Sequence, residues 1–232
     1  MEMPQARKIR YDALIEPLFE TLKPTKRLWP VSIRLALWIV LELGILALIA
    51  IVLPRAGLLA AFHNPHYLIE TAFFIVAGVA SAGLALRTAI PGRDATRNEL
   101  LLIVGVALVA ISLIVRGPVI TGVSLIEFIR AGIGCLVCTV ALASLPWLAL
   151  FWAVRRGAPM APETAGWLIG LAAFSFAFVA SRLGCSIDNS MHVLMWHALP
   201  AAVGAALSMF AGMAWLERRD RHRKASTEKV SR

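Results

Sequence analysis

The chain has 232 residues, 59% of them hydrophobic and only 16% charged, with 23 Lys+Arg against 14 Asp+Glu for a formal net charge of +9. Soluble globular domains run nearer half apolar and a quarter charged, so the composition excludes an ordinary soluble enzyme and predicts an integral membrane protein. The basic excess does not mark a nucleic-acid binder, because the basic residues flank apolar blocks, where membrane topology and anionic headgroups account for them.

The first thirty residues are mostly polar and precede any apolar block. Within them Tyr11, Leu14, Ile15, Leu18, Phe19 and Leu22 recur at the spacing of one helical face, with Asp12, Glu16, Glu20 and Lys23 opposite. An isolated helix of this length is marginal in water and needs a surface to cover its stripe. That surface is either the membrane or a cytoplasmic protein. The acidic polar face differs from the Lys/Arg-rich face of a membrane-lying helix and favours a protein partner. Pro17 interrupts the pattern, so the helix begins near Glu16 or orders on binding.

Six apolar blocks follow: Val31 to Leu53, Tyr67 to Ile90, Leu100 to Val115, about Gly132 to Val154, Thr164 to Leu183, and about Ser190 to Leu216. A hydrocarbon core of about 30 Å needs roughly 20 helical residues. No strand-like alternation is present, so the expected fold is all-α, a polytopic six-helix membrane protein. The third block is short and is read either as thinning the bilayer or as extending irregularly toward Val119 to Ile129. The first block is too long, and too far from the start, to be a secretory signal peptide. The expected organisation is residues 1–30 as a cytoplasmic amphipathic segment, 31–216 as the membrane domain and 217–232 as a basic tail.

Charge counting orients the bundle. With alternating sides, nineteen of the 23 Lys+Arg residues fall on one side and four (Arg55, Arg116, Arg130, Arg182) on the other. Basic residues concentrate on the cytoplasmic side, which predicts both termini inside. Cys135, Cys138 and Cys185 then lie toward the envelope, where disulfides persist. A Cys135–Cys185 bridge would tie two outer helix ends and leave Cys138 odd; alternatively Cys135-x-x-Cys138 holds metal or exchanges thiols.

The stretch "GCSIDNSMHVLMWH", residues 184–197, adds Asp188, His192 and His197. The two histidines are five apart, about 140° around an α-helix, so at most one is expected to join Cys185. Asp188, Asn189 or Ser190 is expected to cap the sixth helix. His63 and His66 lie in the first outer loop and offer further imidazoles. Glu42 at mid-membrane is read either as a proton or ion group or as a packed neutral carboxyl. Glu70 is expected to pair with Arg182 or to meet water.

The runs "RRGAPMAPETAGWLIGLAA" and "LGCSIDNSMHVLMWHALP", with "LIEPLFETLKPTKRL" near the start, "IPGR" after the second block, and Cys135, resemble the NrsF family of inner-membrane anti-sigma factors. The resemblance implies sequestration of an extracytoplasmic-function sigma factor at the cytoplasmic face. It also implies that Cys135 and Cys185, with His197 as neighbour, receive a metal or oxidative stress signal. No certain cofactor follows from it. A transient heavy-metal or zinc ion at Cys135, Cys185 and His197 is the one it allows, with Cys138, His192 and Asp188 as accessory groups. The family pattern commonly has Pro after the loop cysteine, where this chain has Ser186. The partners implied are the sigma factor and membrane lipids, without direct nucleic-acid contact. Two other readings use the same residues: a thiol oxidoreductase passing electrons through Cys135 and Cys138 to a quinone, and a small-solute or metal transporter using Glu42 and Glu70.

Overall fold

The computed structural model describes residues 28–230. Among these, the helices are α1 (Val31–Val52), α2 (Leu58–Phe62), α3 (Pro65–Thr88), α4 (Arg97–Val115), α5 (Leu125–Arg155), α6 (Pro162–Gly184), α7 (Ser190–Val193) and α8 (Leu199–Val230). A π-helical turn, Leu194–Ala198, joins α7 to α8. Six helices are long and apolar enough to cross a membrane, the last being Ser190–Ala214, which runs through the π turn. The amphipathic stretch carrying Leu14, Ile15, Leu18, Phe19 and Leu22 lies outside the described residues.

Local chemistry sets the helix boundaries and adjusts two expected ones. The short third block is extended at its N-terminus to a 19-residue helix, Arg97–Val115. The cause is a capping box: Thr96 Oγ1 accepts from the Glu99 amide at 3.4 Å, and the Glu99 carboxylate accepts from the Thr96 amide at 2.8 Å. Residues between Arg116 and Ser124 stay irregular. A second capping box, Ser124 with Glu127, starts α5 at Leu125 rather than near Gly132. Its 31 residues make a rod of about 46 Å, longer than a hydrocarbon core of about 30 Å, so α5 tilts or projects beyond it.

The bundle is built around α6. Of the most apolar stretch of each helix, 78% is buried in α6 but only 17% in α1 and in α4. Small residues allow this: a methyl on Gly166 would strike the Ser208 carbonyl, and one on Gly170 would strike the Ser208 side chain, so α8 lies backbone to backbone on α6. Ser208 Oγ donates to the Gly166 carbonyl at 2.6 Å and accepts from Trp147 Nε1 at 2.7 Å, stitching α5, α6 and α8. On another side Trp38 of α1 meets Phe176 edge-on at 5.3 Å and donates to the Pro146 carbonyl of α5 at 3.1 Å. Phe74 of α3 stacks on Phe178 of α6 at 3.8 Å. Antiparallel packing then brings the end of α6, the start of the sixth span and Cys135 of α5 to the same end of the bundle.

Candidate metal centre

α6 ends at Gly184, and Cys185 turns the chain into extended backbone at φ −96°, ψ 124°. Five residues later the helix restarts under an Asn189 cap, whose side chain accepts from the Met191 amide at 3.1 Å. Of the three expected capping candidates, Asn189 is the one that acts. Across this bend Cys135 Sγ lies 3.7 Å from Cys185 Sγ, and His192 Nε2 lies 3.6 Å from Cys185 Sγ. All three cysteines are free thiols.

The sixth span departs from the sequence reading at the histidines. That reading, built on 100° per residue, allowed only one of His192 and His197 to reach Cys185. Both do: one ligand atom from each of Cys135, Cys185, His192 and His197 falls within 4.8 Å of the others. The π turn is the reason. Its closing bond runs from the Leu199 amide back five residues to the Leu194 carbonyl, so residues five apart come round to one side. Pro200 explains why the turn is there, since it has no amide to give the Trp196 carbonyl and its ring would crowd a regular turn. Trp196, within the turn, lies flat where a side chain on Gly132 of α5 would have to be. The glycine therefore admits the indole that holds the turn against Cys135's helix.

The donor set fits a tetrahedral ion. With Zn–S near 2.3 Å and Zn–N near 2.1 Å, tetrahedral edges are about 3.8 Å between sulfurs and about 3.6 Å between sulfur and nitrogen. The separations of 3.7 and 3.6 Å match these edges. His197 is fully buried; Ser181 Oγ lies 2.8 Å from its Nδ1, and its Nε2 has no hydrogen-bond partner. A hydroxyl orienting one ring nitrogen while the second has no hydrogen-bond partner is the arrangement of a metal-ligating imidazole. The Cys135 thiol hydrogen-bonds to Cys185, and His192 Nε2 lies within hydrogen-bond distance of it, which holds the Cys185 thiol below its ordinary range. The thiolate is the form of a cysteine that ligates a metal.

Next to this cluster, charges pin the loop. Asp188 does not cap the helix. It accepts from Arg55 Nη1 and Nη2 at 3.1 and 2.6 Å and pairs with Arg182 Nη2 at 3.0 Å. Arg182 also pairs with Glu70 at 3.2 Å, one of the two environments expected for that carboxylate. Tyr67 lies against both guanidiniums, 5.4 Å from Arg55 and 5.2 Å from Arg182. The Arg55 amide donates to the Leu183 carbonyl at 2.9 Å. Burial would raise the Asp188 carboxyl, but the bond from Arg55 and the two positive charges outweigh it and hold the carboxyl below its usual value. The loop bearing Cys185 is thus fastened to the end of α1 and, through Arg182 and Glu70, to α3.

The family model described as "Negative regulator of sigma F" matches residues 18–217. The chain belongs to the NrsF family. No curated protein and no solved structure matches it. Family membership makes it a negative regulator of sigma F, with a sigma factor as partner, and points to a regulator rather than an enzyme.

The remaining polar residues of this NrsF chain sit apart from the cluster. Cys138 is half-buried and is not one of the four converging groups. Cys135 instead meets Cys185, so the C-x-x-C is not the thiol pair that the fold assembles. His63 Nδ1 lies 2.8 Å from the Leu59 carbonyl and His66 Nε2 lies 2.7 Å from the Leu113 carbonyl. His63 is thus bonded within its own turn and His66 to α4 and, at 3.8 Å, to Glu70, and neither is among the four converging groups. Glu42 is 2% exposed and its Oε1 has no hydrogen-bond partner, whereas Glu70 is tied to Arg182 at the lip. The two carboxyls therefore occupy unlike surroundings and form no paired path. The sequence reading missed Arg55 as the partner of Asp188; Pro200, four residues after Trp196, was the available signal for the π turn.

Proposed function

We propose that this chain is an inner-membrane anti-sigma factor of the extracytoplasmic-function class, with both termini in the cytoplasm. Residues 1–30 hold the sigma factor, and Cys135, Cys185, His192 and His197 on the envelope side sense a thiophilic divalent ion of the zinc or heavy-metal class. One observation carries the sensor reading: two thiols and two imidazoles from three separate segments bring their donor atoms within 4.8 Å of one another, two of the separations at tetrahedral edge lengths, and one of the ring nitrogens has no hydrogen-bond partner. The strong bias of basic residues to the opposite end supports the sidedness.

The four side chains ride on α5, on the loop after α6 and on the sixth span. Drawing their donor atoms together, or letting them part, repositions those three segments relative to one another. For this to release a sigma factor, the ion must prefer one arrangement of the bundle; tight binding to both would shift nothing. A swing from mostly held to mostly released needs a preference of about 5 kcal/mol. Metal–thiolate sites, worth roughly 10–16 kcal/mol in structural zinc peptides, have that range.

The test is a reporter driven by the sigma factor's target promoter, in cells given zinc or cadmium. Cys135→Ser, Cys185→Ser, His192→Ala and His197→Ala should each flatten the response, while Cys138→Ser should leave it intact. If both histidine variants respond fully and only the cysteine variants fail, disulfide chemistry replaces ion binding. A full response from Cys185→Ser removes the sensor reading altogether.

A further inference from the structure

At the end of the bundle opposite the thiols, α1 and α5 diverge and leave a groove of about 790 Å³, lined in part by Trp29, Arg34, Leu37, Trp38, Trp152 and Arg156. Its volume lies within the roughly 300–1,000 Å³ of small-ligand sites. Trp29, Leu37 and Trp152 expose more than half of their surface into or beside it. Arg34 is buried at its base, where its guanidinium donates to the carbonyls of Trp29, Leu86 and Ala153 at 3.0, 3.2 and 3.4 Å. Arg156 lies over the Trp152 ring at 3.6 Å. Among the described residues no carboxylate lines the groove, and neither Arg34 nor Arg156 forms an ion pair with one. A buried cation answered by carbonyl dipoles, with a second cation at the rim, leaves positive charge that no described carboxylate balances.

We infer that this groove is a binding site for one anionic phospholipid, its phosphate held by Arg156 at the rim and its acyl chains lying along Leu37, Trp38 and Trp152. The occupant follows from the chemistry of the walls. Below the arginines the groove is apolar and opens on the face of α1 that the bundle leaves uncovered, so a ligand there needs hydrocarbon. At its mouth tryptophan and arginine provide the headgroup-level belt where amphipathic rings and snorkelling cations sit. This is also the end richest in basic residues, and the cytoplasmic leaflet that such residues face carries the anionic lipids. A planar guanidinium can donate two parallel bonds to a phosphate, which a zwitterionic headgroup masks with its own ammonium.

The experiment is native mass spectrometry of the full-length protein released from micelles containing either phosphatidylglycerol or phosphatidylcholine. One phosphatidylglycerol should be retained per chain under conditions that strip phosphatidylcholine. Arg156→Gln should weaken retention about fivefold, the loss expected of one basic contact at an anionic surface. Arg155→Gln is the control: it removes the same charge from the same end, but Arg155 lines a different, smaller cleft between α5 and α6, and retention should be unchanged. Melting temperatures show whether each variant is folded. Equal retention of both lipids, or equal losses in the two variants, would mean general attraction to the surface and overturn the site. A second copy of the chain in place of lipid, or no adduct at all on the wild type, would also overturn it.

Discussion

The two ends of the bundle answer their arginines in different ways. At the thiol end every buried cation meets an acid: Arg55 and Arg182 converge on Asp188, and Arg182 continues to Glu70. At the other end Arg87 has Glu99, but Arg34 is answered by three carbonyls and Arg156 by an indole face. Ion pairs with their geometry filled resist rearrangement, because removing one partner strands the other in a low-dielectric site. The difference teaches where the bundle can yield. The matched network fastens the Cys185 loop to α1 and α3, while at the other end no described acid answers Arg34 or Arg156.

The contrast can be broken most severely at the ligands themselves. An even share of roughly 10–16 kcal/mol among four ligands is about 2.5–4 kcal/mol each, so Cys185→Ser should lower zinc or cadmium affinity by about two to three orders of magnitude in competition titrations. Gly132→Ala drives a methyl into the Trp196 ring, so the indole must shift. It should cost about 1–3 kcal/mol of stability and also weaken metal binding, because the displaced indole belongs to the π turn; a stability loss with unchanged affinity would uncouple turn from site. Asp188→Asn leaves Arg55, only 5% exposed, with a weakened partner. Since the carboxylate side is 48% exposed, water softens the loss to about 1–2 kcal/mol. The pH dependence has a definite sign: a carboxyl held below its unfolded value stabilises the fold above about pH 4 and loses that contribution as pH falls through its lowered value. Thermal melts of wild type should therefore drop more steeply on acidification than those of Asp188→Asn. The smallest effect belongs to the opposite end, where Thr96→Ala removes one half of a capping box and should cost about 1 kcal/mol or less, with metal affinity unchanged.

The fold was largely legible because bilayer-spanning helices declare themselves by length and apolarity, independently of their neighbours. Capping chemistry was legible too, since Thr96 and Glu99, or Ser124 and Glu127, stand three apart; reading it would have placed the starts of α4 and α5 correctly. Proximity of Cys135 to Cys185 could be anticipated from which helix ends share a side. The joint use of His192 and His197 could not, because it depends on a turn that breaks the 3.6-residue period on which face arguments rest. Asp188 with Arg55 was hidden for a different reason. The two are 133 positions apart, and only the packing of α1 against the end of α6 brings them together. The groove above Arg34 has no linear signature, because its walls come from α1 and α5, where Arg34 and Ala153 are 119 positions apart.

The π turn also fixes the phase of everything that follows it. From Leu199 onward, each side chain points about 100° away from the azimuth an unbroken α-helix would give it. Ser208 reaches the Gly166 carbonyl, and Gly204 accommodates the Phe174 ring, only in that rotated setting. Excising one residue from Leu194–Ala198 would force a choice between presenting both imidazoles and seating the rest of the rod on α6. A one-residue surplus near one face of the membrane is in this way registered, as an angle, along the whole remaining span.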